Sequence, residues 1–221
     1  HWRWDSAIFR ELLNLSLLTC AQQSAMNFGI LLIQRLVDSF GAVTMAAFAA
    51  AVKIDAFAYL PVQDFGNAFS TFAAQNYGAG QTARLREGFR KATALSAGFS
   101  IAISALVFAF AKPLMRLFVK AEETAVLASG AQYLRIEGAF YVGIGLLFLL
   151  YGFYRAVERP GMSVILTVVS LGTRVALAYA LAGPIGEIGI WIAIPIGWLL
   201  ADAIGYGFYF LRRRRLLKKT P

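Results

Sequence analysis

Long apolar stretches alternate with short polar connections along the whole chain. Six stretches stand out, roughly 12–34, 44–74, 92–111, 128–154, 163–182 and 188–211. A run of about 18 or more apolar residues is enough to cross a hydrocarbon core of about 30 Å. Backbone groups in lipid must satisfy one another, so the spans are either helices or a closed barrel. Barrel strands alternate apolar and polar residues over about ten positions. The runs 163–182 and 188–211 are instead continuous. The pattern predicts an all-α polytopic membrane protein with six transmembrane helices. The second and fourth stretches are long enough to imply tilt, or extension past the membrane surface. Residues 1–11 read as a lead-in, 12–211 as the transmembrane unit and 212–221 as a basic tail. Connections such as Asp38-Ser-Phe-Gly41 and Gly183-Pro-Ile-Gly186 are short, leaving no inserted soluble domain.

Composition agrees. The chain is 59% hydrophobic and only 15% charged, against about 25% charged in soluble domains. Its mean hydropathy is +0.63. Cys20 and His1 are the only residues of their kinds. They provide neither a disulfide within one copy nor a Cys/His metal cluster. Cys20, inside an apolar run, reads as a small buried hydrophobe. The chain opens on His without a cleavable signal pattern, and reads as a piece of a longer protein.

Charge sets the orientation. One side collects fourteen Lys and Arg residues, from Arg3 and Arg10, the loops at Arg84–Lys91 and Arg155–Arg159, and the tail "RRRRLLKK". The other side has four, Arg35, Lys112, Arg116 and Lys120. By the positive-inside rule both termini face the cytoplasm, and an even span count requires them to share a side. A basic run directly after a span anchors topology against anionic lipid, so no nucleic-acid partner is expected. Trp2 and Trp4 fit an interfacial belt.

The remaining charges lie within spans: Lys53, Arg135 and Arg174, with Asp55, Asp64, Glu137 and Asp202. Intramembrane charges usually face a bundle interior or an aqueous cavity. On a helix turning about 100° per residue, Lys53 and Asp64 share a face within about 20°, and Asp55 points almost opposite Lys53. Phe57, Leu60, Asn67 and Thr71 fall on the face of Asp64. Pro61 removes a backbone donor and predicts a kink there. Such a helix suits either a cavity wall or polar packing against neighbours. In the first span Ser16, Thr19, Gln23, Asn27 and Gln34 align within about 80°. This stripe marks either contact with water or another lobe, or helix-to-helix hydrogen bonding. Arg174 and Asp202 lie within about 6 Å in depth on the last two spans, which predicts a buried structural ion pair. Glu137 precedes Tyr141 by one turn. Gly138, Gly143 and Gly145 invite close packing or bending. No phosphate loop, HExxH or GxSxG signature is present, so no enzyme is predicted.

Several segments together resemble one family. "QQSAMNFGILLIQRLVDSFG", "KIDAFAYLPVQDFGNAFSTFAAQNYGAG" and "RLREGFRKA" are similar to the multidrug and toxic compound extrusion (MATE) transporters, at the start of their C-terminal half. "QYLRIEGAFYV", "GFYRAVERP", "TRVALAYAL" and "GIWIAIPIGW" resemble the later helices of that half. The resemblance implies one six-helix lobe of a two-lobe, twelve-helix transporter, with the N-terminal lobe on the same polypeptide. It implies export of amphipathic or cationic organic compounds in exchange for H+ or Na+, by alternating access across the plasma (inner) membrane, with no cofactor. The cleft-lining set it suggests is Gln23, Asn27, Phe57, Asp64, Asn67 and Tyr141, with Asp64 as coupling candidate. Some branches place acids in the seventh and tenth helices. The matching positions here, Gln22–Gln23 and Gly143-Ile144-Gly145, are not acidic. That resembles the DinF-like branch, whose coupling carboxylate is in the N-terminal lobe. A lipid-linked precursor flippase of related fold is the alternative.

Overall fold

The computed structural model describes residues 5–216. Trp2, Arg3, Trp4, Lys218 and Lys219, invoked above, lie outside the described residues. The elements are α1 (Ser6–Asp38), α2 (Ala42–Gly78), α3 (Thr82–Met115), α4 (Thr124–Gly138), α5 (Tyr141–Ala156), α6 (Pro160–Ile185) and α7 (Glu187–Leu216). No strand occurs among the described residues. Five helices are long and apolar enough to cross a membrane alone. The sixth span is the pair α4–α5, bent by 52°. The six-span expectation therefore holds, with the fourth span broken directly after Gly138.

Local sequence explains the punctuation. At the end of α2, in "AQNYGAG", Gly80 takes φ +68. This lets the Gln81 N–H reach the Asn76 carbonyl at 2.8 Å and the Gly80 N–H reach Tyr77 at 3.0 Å. A residue with a Cβ is disfavoured in that left-handed conformation. The kink expected at Pro61 is not a break: α2 continues through it as one helix of 37 residues. At 1.5 Å per residue that is about 55 Å, well beyond the hydrocarbon thickness. Proline does act in α3, where Phe110 leaves helical geometry (φ −104, ψ 18) three residues before Pro113. The ring of Pro113 presses on the carbonyl one turn earlier, beside Phe110.

The packing order is nearly a ring. α6 lies between α1 and α7, and α2 touches both α1 and α3. α4 and α5 fill the middle, against α2 and α3 on one side and α7 on the other. α5 is the most buried element, with Leu147, Leu149, Leu150, Phe153 and Tyr154 all sealed from solvent. It meets α2 backbone to backbone. A Cβ added at Gly66 would stand 2.8 Å from the Phe148 carbonyl oxygen, and one at Gly152 would run into the Gly66 carbonyl. Aromatic rings close both ends. Phe48 stacks on Trp191 at 5.5 Å, with Tyr133 edge-on to both. At the other end Phe89 packs on Phe153 at 4.4 Å and on Tyr209 at 4.8 Å. Cys20 is exposed, contrary to expectation. α1 stands at the rim of the lobe and turns only one face inward, through Gln22, Gly29, Ile33 and Val37.

Candidate functional site

The polar groups of the lobe separate into an open face and a buried centre. On α1, Ser16, Thr19, Gln23 and Asn27 are exposed, while Gln22 is buried and donates to Thr167 Oγ1 at 3.0 Å. Gln34, half-buried, donates to Asp38 at 3.0 Å. On α2, Phe57 is 78% exposed, and Leu60, Asp64, Asn67 and Thr71 are exposed with it. Asn67 accepts from Arg155 Nη2 at 3.1 Å. Asp64 has no hydrogen bond or ion pair among the described residues. Lys53 is also exposed, its ammonium 5.9 Å from the Phe118 ring centroid. A helical stripe on each of two touching helices is thus turned away from the core of the lobe.

The buried centre belongs to Asp55. Its face of α2 points inward because it also carries Ala51, Ile54, Ala58 and Val62, all buried. Asp55 is 3% exposed. Tyr133 of α4 donates to its Oδ2 at 2.6 Å, and Tyr141 of α5 donates to its Oδ1 in a very short hydrogen bond. One carboxylate therefore straddles the 52° break in the fourth span. Glu137, also buried, lies between the two tyrosines in sequence, and its Oε2 has no partner. Arg174 of α6 is within electrostatic reach of Asp55 and Glu137. Tyr141, expected in the cleft, is instead 3% exposed and committed to this interior tie.

The expected Arg174–Asp202 ion pair is not formed. Lys91–Glu87 at 2.7 Å is the only salt bridge among the described residues. Both Asp202 oxygens and Arg174 Nε are buried without hydrogen-bond partners. Helical phase explains the separation. Arg174 abuts Gly197, whose added Cβ would stand 3.3 Å from Arg174 Cβ. Asp202 lies five residues on, about 7.5 Å along α7 and 140° around it. It faces α5 instead, 3.7 Å from a Cβ placed at Gly143. Depth alone had aligned the pair.

The Asp55 tie was missed in the sequence. Its signal was Tyr133, Glu137 and Tyr141 at spacings of four, which puts all three near one helical face opposite an intramembrane acid. A separate carboxylate, Glu187, pins the start of α7 by accepting from Thr44 Oγ1 at 2.6 Å and Ser129 Oγ at 2.9 Å.

Comparison with known proteins defines the class. The MatE family model matches residues 19–180, most of the chain. The chain belongs to the MatE family of membrane transporters. It is 26% identical over 217 residues to the probable multidrug resistance protein YpnP of Bacillus subtilis (strain 168), covering 98% of this chain and 48% of that protein. Its fold is similar to a MOP superfamily transporter from Pyrococcus furiosus, with TM-score 0.91, 21% identity, and coverage of 98% of this chain and 49% of that one. It is also similar to an outward-facing multidrug resistance MATE family transporter, with TM-score 0.89, 22% identity, and coverage of 99% and 49%. These proteins are transporters, not enzymes. The chain spans about half the length of the relatives it matches. The DinF-like placement rests on the sequence argument alone.

Proposed function

We propose that this chain is the C-terminal lobe of a secondary active multidrug efflux antiporter. It exports amphipathic or cationic organic compounds in exchange for H+ or Na+ by alternating access. The open polar face carries this reading. Gln23, Asn27, Asp64 and Asn67 all lie exposed on α1 and α2. Facing lipid, Gln23, Asn27 and Asp64 would be left unsatisfied at a cost of a few kcal/mol each, while Asn67 already accepts from Arg155. Facing the N-terminal lobe of the same polypeptide across a cleft, they meet water and substrate. Phe57, beside them, supplies an apolar surface for an amphipathic compound.

Asp64 is the acid on that face, so an exchanged ion has direct access to it. A carboxylate couples transport when its affinity for the ion differs between the two access states. Asp55 and Glu137 are sealed inside, and Asp55 ties α4 to α5 across the broken span. The charge bias supports a topology in which both ends of the segment face the cytoplasm, in the plasma (inner) membrane. Export by the full-length protein in inverted vesicles tests the reading, with a fluorescent hydrophobic cation as substrate. Asp64→Asn should slow ion-dependent export while leaving protein abundance unchanged. Normal export at normal abundance would remove Asp64 from coupling. Competition by a lipid pyrophosphate, but not by hydrophobic cations, would replace antiport with lipid-precursor flipping.

A further inference from the structure

α3 and α7 meet through side chains near one end of the lobe, Phe89 packing on Tyr209 at 4.8 Å. Each packs against other helices, but not along the other. Between them lies a cavity of about 680 Å³, at the end of the lobe where α3 begins and α7 finishes. Arg86 and Arg90 from α3 and Arg213 from α7 line it. Arg86 and Arg213 both lie within electrostatic reach of Tyr209. None of the three arginines has a salt-bridge partner among the described residues. Glu87, which also lines the cavity, is engaged by Lys91 at 2.7 Å. The rest of the lining is largely apolar, with Phe89 buried and Ala94, Ala97 and Phe210 more open. Thr93 and Tyr206 join their hydroxyls across the floor at 3.2 Å.

We propose that this cavity is a binding site for an anionic phospholipid. Its phosphodiester would lie among Arg86, Arg90 and Arg213, and the start of an acyl chain along Phe89, Ala94 and Ala97. Three observations select this occupant. Three guanidiniums from two helices line the cavity against a single carboxylate, Glu87, which is already engaged by Lys91; guanidinium groups suit phosphate oxygens. The lining passes from cationic to apolar along the helices, matching a lipid from headgroup to tail. Basic pockets between transmembrane helices at the positively charged surface are known to take anionic headgroups. The other lobe is not the occupant, because the reading above places it against α1 and α2. The cavity lining comes from α3 and α7 alone.

Native mass spectrometry of the full-length protein in detergent tests this, with phosphatidylglycerol and phosphatidylcholine offered at equal concentration. Retained phosphatidylglycerol should exceed phosphatidylcholine. The variant Arg86→Ala/Arg90→Ala/Arg213→Ala should weaken that retention on the order of 100-fold, at several-fold per basic residue. Arg116→Ala/Lys120→Ala, at the opposite end of the lobe, should retain it fully. If the triple variant does not fold, Arg213→Gln alone should still give a several-fold loss. Equal loss in the opposite-end variant, or none in Arg213→Gln and the triple variant, would overturn the site. Displacement of the lipid by millimolar inorganic phosphate would reassign it to free phosphate. The readout is independent of transport, so it stands or fails separately from the antiport reading.

Discussion

Converting Tyr133 and Tyr141 to phenylalanine tests what holds the broken span in shape. Each substitution keeps the ring and removes one donor to Asp55. The ring of Tyr133 remains between Phe48 and Trp191, at 5.5 and 4.9 Å, so packing survives. What is lost is a hydrogen bond to a buried carboxylate, worth about 1.5–3 kcal/mol when the acceptor is charged. That corresponds to about a tenfold to 150-fold rise in local opening for each variant. The opening should appear where Phe140 N–H bonds Glu137 and Gly143 N–H bonds Phe140, at 3.0 and 2.8 Å. Hydrogen exchange on the full-length protein in detergent reads these amides directly. Residues 137–143 should exchange faster in Tyr141→Phe, and faster again in the double variant. Amides at 190–198 on α7 should keep their wild-type rates. If both single variants exchange at 137–143 within about twofold of wild type, Asp55 does not tie α4 to α5 and the reasoning fails.

Other consequences are simpler to check. Gly152→Ala places a Cβ against the Gly66 carbonyl, and should destabilise the lobe by about 1–3 kcal/mol in thermal unfolding. Gly80→Ala must hold φ +68 with a Cβ present, and should cost about 1–2 kcal/mol in the same assay without impairing transport. Arg174→Gln and Asp202→Asn should be additive within about 0.5 kcal/mol in a double-mutant cycle, because the two groups are not paired. A coupling energy above about 1 kcal/mol would restore the ion pair. Gln22→Leu removes a buried partner of Thr167, and should lower stability by about 1–3 kcal/mol.

The chain determines its class through one-dimensional properties. Span length is fixed by bilayer thickness, and so is visible as runs of apolar residues. The turn at Gly80 and the near-opposite directions of Lys53 and Asp55 follow from local geometry, which depends on neighbours only a few residues away. Partnership between helices is different. Whether Arg174 meets Asp202 depends on the rotation of α6 and α7 about their axes, and that is set by close contacts such as Gly197 on Ser170 and Arg174. Whether Tyr141 lines a cleft or holds Asp55 depends on a 52° bend whose position the apolar run 128–154 does not mark. Cys20 is open because α1 lies at the rim, a fact of packing order and not of hydropathy. The cavity between α3 and α7 joins arginines more than a hundred residues apart in the chain. Hydrophobicity puts a helix in the membrane, but only the packing of neighbouring helices decides what each face of it meets.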